Sequence, residues 1–254
     1  MAAAIKRKLP QLPIVFFGDT AHLPYGDKST ATIRRYTERI AHHLIEDWGC
    51  AGMVIACNTA SAVAGRQLRH RWKKHPVRWF DVIEPAVEMV ARMADVRRVG
   101  VIATKRTTAS RAYPRRLKRW KHIQYVHTLS TPLLAPMIEE GFFSNQISRT
   151  VIGWYLGKPA LRHIDLLLLG CTHYPLIQQE IWSYYEGRVR VIDSAEAVAE
   201  EVAAWMSTYS VPNVNRSGEQ PEDVFLVSDY THAFQKTAQL FFGEHITLRQ
   251  AEIK

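Results

Sequence analysis

Met53-Val54-Ile55-Ala56-Cys57-Asn58-Thr59 and Leu167-Leu168-Leu169-Gly170-Cys171-Thr172-His173 follow one pattern, once in each half of the chain. Each is an apolar run of strand length, then a cysteine, then polar residues, then a stretch of helical period. Outward from these two segments, short apolar runs keep alternating with helical stretches, which is the pattern of an α/β protein with parallel strands. Strands are expected at 14–17, 53–56, 99–103, 165–169, 189–192 and 224–227. Helices are expected after Thr30 as cap (Ile33, Ile40, Leu44 and Trp48 on one face), at 59–74, and at 107–120 with Ala109, Tyr113, Leu117 and Trp120 on one face. Further helices are expected at 176–185, 195–206 and 230–242, and 211–221 reads as an exposed loop. The repeated strand–cysteine–helix unit predicts two related halves.

In an open parallel sheet, ligands bind beyond the carboxyl ends of the strands. Cys57 and Cys171 both fall at that edge, before a helix N-terminus, where unpaired N–H groups can lower a thiol pKa or hold a carboxylate. A lone strand-end cysteine is more often just a small buried hydrophobe. Cys50, after Trp48-Gly49 and without polar neighbours, fits that bland reading. Two cysteines in equivalent places, each with polar residues behind it, do not. Two thiols facing each other across a cleft suit inversion at a carbon acid, one thiolate taking a proton and the other thiol returning one to the opposite face. Asn58, Thr59, Thr172 and His173 are then candidates to hold carboxylates and ammonium.

Composition narrows the alternatives. The chain has 254 residues, 47% hydrophobic and 22% charged, so it is globular and long enough for one large or two modest domains. Three cysteines make no disulfide framework, and a reducing cytoplasm is the expected location. The leucine run at 166–169 is far short of a membrane span, and the four apolar residues at 14–17 are too few for a secretory signal. Dinucleotide, P-loop, zincin, C-x-x-C and G-x-S-x-G motifs are all missing. His42, His43, His70, His75, His122 and His127 show no ligand spacing, so no metal is expected. Two thiols would need no pyridoxal or other cofactor.

The formal charge of +9 invites an acidic partner without naming one. One basic cluster runs from Arg66 to Arg78, and the other from Arg97 to Lys121. The simplest reading of the helix with Arg115, Arg116, Lys118 and Arg119 is a solvated face. A nucleic-acid surface is possible but not favoured, because no recognised binding motif accompanies the charge. Trp72, Trp79 and Trp120 are expected in the core.

At these motifs the sequence resembles glutamate racemases, of the aspartate/glutamate racemase family. The resemblance runs along nearly the whole chain: Phe17-Gly18-Asp19-Thr20 through Pro24-Tyr25-Gly26 to Lys28-Ser29, Ala56-Cys57-Asn58-Thr59-Ala60-Ser61-Ala62, Val82-Ile83-Glu84-Pro85, Gly170-Cys171-Thr172-His173-Tyr174-Pro175-Leu176, and Ile192-Asp193-Ser194. The cysteine motifs are shared with aspartate racemases, and Tyr25-Gly26 with Cys171-Thr172-His173-Tyr174-Pro175 marks the glutamate branch. In the aspartate branch a glutamate stands where His173 stands here.

The resemblance implies cofactor-independent interconversion of L- and D-glutamate, supplying D-glutamate for peptidoglycan. It implies Cys57 and Cys171 as proton donor/acceptors, His173 assisting Cys171, and Glu139 beside that histidine. Tyr25, Gly26, Asn58, Thr59, Thr172 and His173 would contact substrate, and Thr104 and Thr107 would reach a substrate carboxylate. It further implies a homodimer, built from two pseudo-symmetric three-layer α/β domains with mainly parallel sheets and the active site in the cleft between them. The first domain would be discontinuous (1–82 plus 192–254), and the second would span 83–191.

One departure accompanies it. Family members usually start with a strand leading into an Asp-Ser-Gly motif, then a first helix, whereas residues 1–9 here look like the tail of that helix. The absent aspartate partners the first cysteine in the family, and the absent serine holds substrate. A longer natural reading frame, or impaired racemase activity, is the expectation that follows. A sister enzyme acting on aspartate, and an inactive homologue serving as a binding protein, are the alternatives.

Overall fold

Leu166, Leu167, Leu168 and Leu169 are all buried, and their side chains divide between two separate cores. The strand that carries them is therefore covered on both faces, as an unbroken apolar run in a parallel sheet requires. The computed structural model describes residues 1–209, 222–232, 234–235, 238–239 and 246–253. Among these, the strands are β1 (Val15–Gly18), β2 (Gly52–Ile55), β3 (Arg78–Asp81), β4 (Arg98–Ala103), β5 (Tyr125–Ser130), β6 (Leu166–Gly170), β7 (Arg190–Ile192), β8 (Val224–Val227) and β9 (Leu248–Gln250). The helices are α1 (Ala2–Lys8), α2 (Thr30–His42), α3 (Asn58–Val63), α4 (Gly65–Arg71), α5 (Glu84–Ala91), α6 (Lys105–Ser110), α7 (Ala112–Leu117), α8 (Leu134–Glu139), α9 (Gln146–Leu156), α10 (Gln178–Tyr184) and α11 (Ala195–Met206).

The strands pair in parallel throughout, in three sheets ordered β5-β4-β6-β7, β1-β8-β9 and β2-β3. On one face of the four-stranded sheet, Val99, Val101, Leu166 and Leu168 pack with α5, α7 and α11 residues and with Ala4 and Ile5 of α1. On the other, Ile102, Leu167 and Leu169 pack with α8, α9 and α10. This is a three-layer arrangement. Phe80 of β3 and Val82 belong to the first of these cores, so the apolar interior runs on from the four-stranded sheet to β2-β3. Behind β2, Met53 and Ile55 meet Ile33, Ala60 and Leu68 from α2, α3 and α4. The mainly parallel α/β architecture is as expected from the alternating pattern.

Several local expectations are corrected. The helix at 107–120 is broken at Arg111, which takes a left-handed conformation (φ 55°, ψ 25°). Pro114 is the reason. It has no N–H to give Ser110, and its ring would clash with that carbonyl in a continuous helix. The helix at 59–74 is likewise two, α3 and α4, meeting at Ala64 and Gly65. The cap of α2 is Ser29, whose side chain accepts from the Thr32 N–H, and not Thr30. Trp72 is buried as expected, but Trp120 is exposed, because α7 stops at Leu117 before reaching it. Strands β3, β5 and β9 are additional to those expected from the apolar runs. The loop expected at 211–221, and part of the helix expected at 230–242, lie outside the described residues. No helix among the described residues is long and apolar enough to cross a membrane.

The basic clusters are not simply solvated. Arg116 Nε meets Glu84 Oε2 at 2.7 Å and Arg119 Nη2 meets Glu84 Oε1 at 2.9 Å. Arg69 pairs with the buried Asp81 at 2.5 Å, Arg71 with Glu38, and Lys105 with Asp27 at 3.2 Å.

Candidate active site

Cys57 follows β2 and caps α3, and Cys171 follows β6, so both stand at the carboxyl ends of parallel strands. Gly170 lets the second segment lie close. A Cβ there would stand 2.9 Å from the Ile102 carbonyl oxygen, a backbone atom that cannot swing aside. Burial is the main influence on the Cys57 thiol and pushes its pKa up, and the charge of Cys171 pushes the same way. The N–H groups of Ala60 and Thr59 and the Thr59 hydroxyl, at the start of α3, act in opposition and favour the thiolate.

On the second side, Cys171 is buried and its Sγ lies 3.6 Å from His173 Nδ1. His173 Nε2 lies 3.1 Å from Glu139 Oε1, at the last residue of α8. Burial alone would lower the His173 pKa. The bonds to Cys171 and Glu139 outweigh it and push the imidazole up to about 10. A histidine held protonated between a sulfur and a carboxylate can steady a thiolate and move its proton.

Three hydroxyls gather beside Cys57. Thr59, Thr104 and Thr107 Oγ1 atoms form a triangle with sides of 2.9, 3.1 and 3.0 Å. Thr104 also caps α6 by accepting from the Thr107 N–H. Hydroxyl groups can rotate from bonding one another to donating into an anion. Asn58 Oδ1 accepts from the Tyr113 hydroxyl at 2.5 Å. Tyr25 donates to Asp19 Oδ2 at 2.5 Å, and Asp19 also takes the Ser228 hydroxyl at 2.9 Å. Burial, then the Asp19 bond and the nearby charges of Asp19 and Cys57, raise the Tyr25 pKa. Tyr25 and Cys57 pack on the same α2–α4 core. The Gly26 backbone packs directly on Thr104.

The structure therefore brings together Cys57, Thr59, Thr104, Thr107, Tyr25 and Gly26 on one side, and Cys171, His173 and Glu139 on the other. Thr172 is half-buried, and among the described residues no side-chain hydrogen bond ties it to either set. Cys50 is half-buried against the α2–α4 core, with its thiol pKa pushed up by burial. Sequence reasoning missed Tyr113 and Asp19 as members of the site. The spacing of Ala109, Tyr113 and Leu117 marks Tyr113 only as an apolar-face residue; the signal that points further is its hydroxyl, which needs a partner once the ring is buried. No cluster of three or more His, Cys, Asp or Glu suited to a metal occurs among the described residues.

Residues 1–202 match the family described as Asp/Glu/Hydantoin racemase. The chain belongs to that family. It is an amino-acid racemase, an isomerase. It is 38% identical to a glutamate racemase of Neisseria meningitidis over 251 residues, which is 98% of this chain and 90% of that protein. A glutamate racemase of Aquifex aeolicus is 37% identical over 243 residues, covering 96% of this chain and 89% of its own length. Among solved structures, a glutamate racemase of Francisella tularensis in complex with D-glutamate superposes with a TM-score of 0.87 at 30% identity, covering all of this chain and 92% of that one. For this racemase the reaction sets a geometric demand. A proton must leave one face of a stereocentre and another must arrive on the opposite face.

Proposed function

We propose that this racemase interconverts L- and D-glutamate without a cofactor, using Cys57 and Cys171 as its two proton carriers. The observation that carries the reading is the equivalent placement of the two thiols, each at the carboxyl end of a parallel strand, Cys57 after β2 and Cys171 after β6. The relatives' names and the D-glutamate bound in the Francisella tularensis protein support the choice of substrate.

One cysteine, as thiolate, takes the α-proton and becomes a thiol. The electron pair stays on the substrate, delocalised into the α-carboxylate. The other cysteine, as thiol, gives its proton to the opposite face and becomes the thiolate. The reverse direction exchanges the two roles. Thr59, Thr104 and Thr107 offer their hydroxyls to a carboxylate, with Asn58, Thr172, Tyr25 and Gly26 completing the pocket. Glu139 and His173 serve Cys171, the imidazolium steadying its thiolate and returning its proton. Residues 1–82 with 192–254, and residues 83–191, are the two domains of this scheme, each supplying one cysteine. The D-glutamate produced feeds peptidoglycan synthesis in the cytoplasm, and a homodimer is the proposed assembly.

Incubation with L-glutamate in deuterium oxide, followed by loss of the α-proton signal and of optical rotation, tests the reading. Cys57→Ala and Cys171→Ala should each abolish interconversion. Full activity in both variants would remove the mechanism, and faster turnover of L-aspartate would move the substrate.

A further inference from the structure

Tyr113 has a place in the fold that packing alone does not use. Its ring lies in the core shared with Val101 and Leu168, while its hydroxyl is committed to a single partner, Oδ1 of Asn58. Both residues are fully buried, and Asn58 directly follows Cys57.

An asparagine side chain has one accepting end and one donating end. Turning the amide over would leave the Tyr113 O–H without an acceptor, since no other partner of that hydroxyl occurs among the described residues, and a buried unsatisfied donor is costly. Burial, and then the nearby charges of Asp81 and Cys171, raise the Tyr113 pKa, so the hydroxyl keeps its proton and remains a donor. With Oδ1 taken, Asn58 presents two N–H groups on Nδ2 and has no other side-chain hydrogen bond among the described residues.

Resting on the racemase reading above, we propose that Tyr113 is a positioning residue: its hydroxyl locks the Asn58 amide so that Nδ2 donates to a carboxylate of the bound amino acid. The lock is itself held in place. Tyr113 rides on α7, and Arg116 and Arg119, on and just beyond that helix, both grip Glu84 at the start of α5. Glu84 of the Val82-Ile83-Glu84-Pro85 motif thereby ties α5 to the helix that carries Tyr113.

A double-mutant cycle read by D-glutamate binding and by steady-state kinetics tests this. Tyr113→Phe keeps the ring and removes only the hydroxyl. It should raise Kd, and KM for both enantiomers, by about five- to tenfold with a smaller change in kcat. In an Asn58→Ala background the same change should add less than about twofold, because the residue it acts through is gone. An equal factor in both backgrounds, or an unchanged Kd in Tyr113→Phe, overturns the proposal, since a purely structural tyrosine would act whether or not Asn58 is present. The parent chain is the control. If it neither binds nor racemises glutamate, the racemase reading falls and the proposal with it, whereas an active parent with an additive cycle rejects Tyr113 alone.

Discussion

A Cβ placed on Gly26 would stand 2.8 Å from the Cβ of Thr104. The close approach matters because Gly26 follows Tyr25, and Thr104 caps α6, the helix that carries Thr107 of the hydroxyl triangle. Thr104 Cβ is bonded to the backbone and cannot rotate away, so a methyl group must push the two segments apart. Overpacking of this kind costs about 1–3 kcal/mol. Gly26→Ala is expected to raise KM for glutamate at least tenfold while the chain stays folded, as steady-state kinetics and a thermal melt would show.

The proton on His173 should leave a signature in both rate and stability. Its folded pKa, near 10, stands above the ordinary value of about 6.5. The stability tied to that proton is therefore complete below about pH 6.5 and is lost as pH rises through about 10. Glu139→Gln removes the carboxylate and keeps the shape, so the His173 pKa falls. The alkaline limb of kcat/KM should move to lower pH, and the alkaline decline of Tm should begin earlier. A pH–rate profile and a melting series from pH 6 to 10 check this, and superimposable curves would contradict it.

Thr107 contributes one corner of the hydroxyl triangle from a buried position. Thr107→Val removes the hydroxyl at almost constant shape. A hydrogen bond to a charged group contributes about 1.5–3 kcal/mol, so substrate affinity should drop by about tenfold or more. The expected result is a higher KM for both enantiomers, with kcat falling less. Unchanged KM would exclude the triangle from carboxylate binding.

Glu84 receives two arginines at once, yet it is partly exposed, with side-chain exposures of 40% for Glu84 and 59% for Arg119. Screening limits such a pair to roughly 1 kcal/mol or less. Glu84→Gln should lower Tm by about 2–4 °C, and half-molar salt should narrow the gap between variant and parent.

Much of this was legible in the residues because the signals were local. The leucines of β6 alternate between two covering layers, so only a doubly covered strand accommodates them, and α11 at 195–206 has its expected bounds. Cys57 and Cys171 stand out in the sequence because strand ends in parallel sheets gather at one edge. What escaped depends on partners distant in sequence. The β3 segment Arg78-Trp79-Phe80-Asp81 holds only one aliphatic-free apolar pair and becomes a strand by pairing with β2. The break at Arg111 was written in Pro114, but a helical apolar stripe continues across it and hides it. Asn58 and Tyr113 lie in different helices, and their bond follows from how those helices meet, which periodicity does not report.

The pairing of β1 with β8 also bears on how the molecule is made. Val15 aligns with Val224, whereas every strand of the four-stranded sheet falls between Arg98 and Ile192. During synthesis, which proceeds from the amino end, that sheet can zip up while β1 still has no ladder to join. A nascent chain halted before residue 224 would hold every strand of the inner sheet, with β1 still lacking β8, its ladder partner among the described residues.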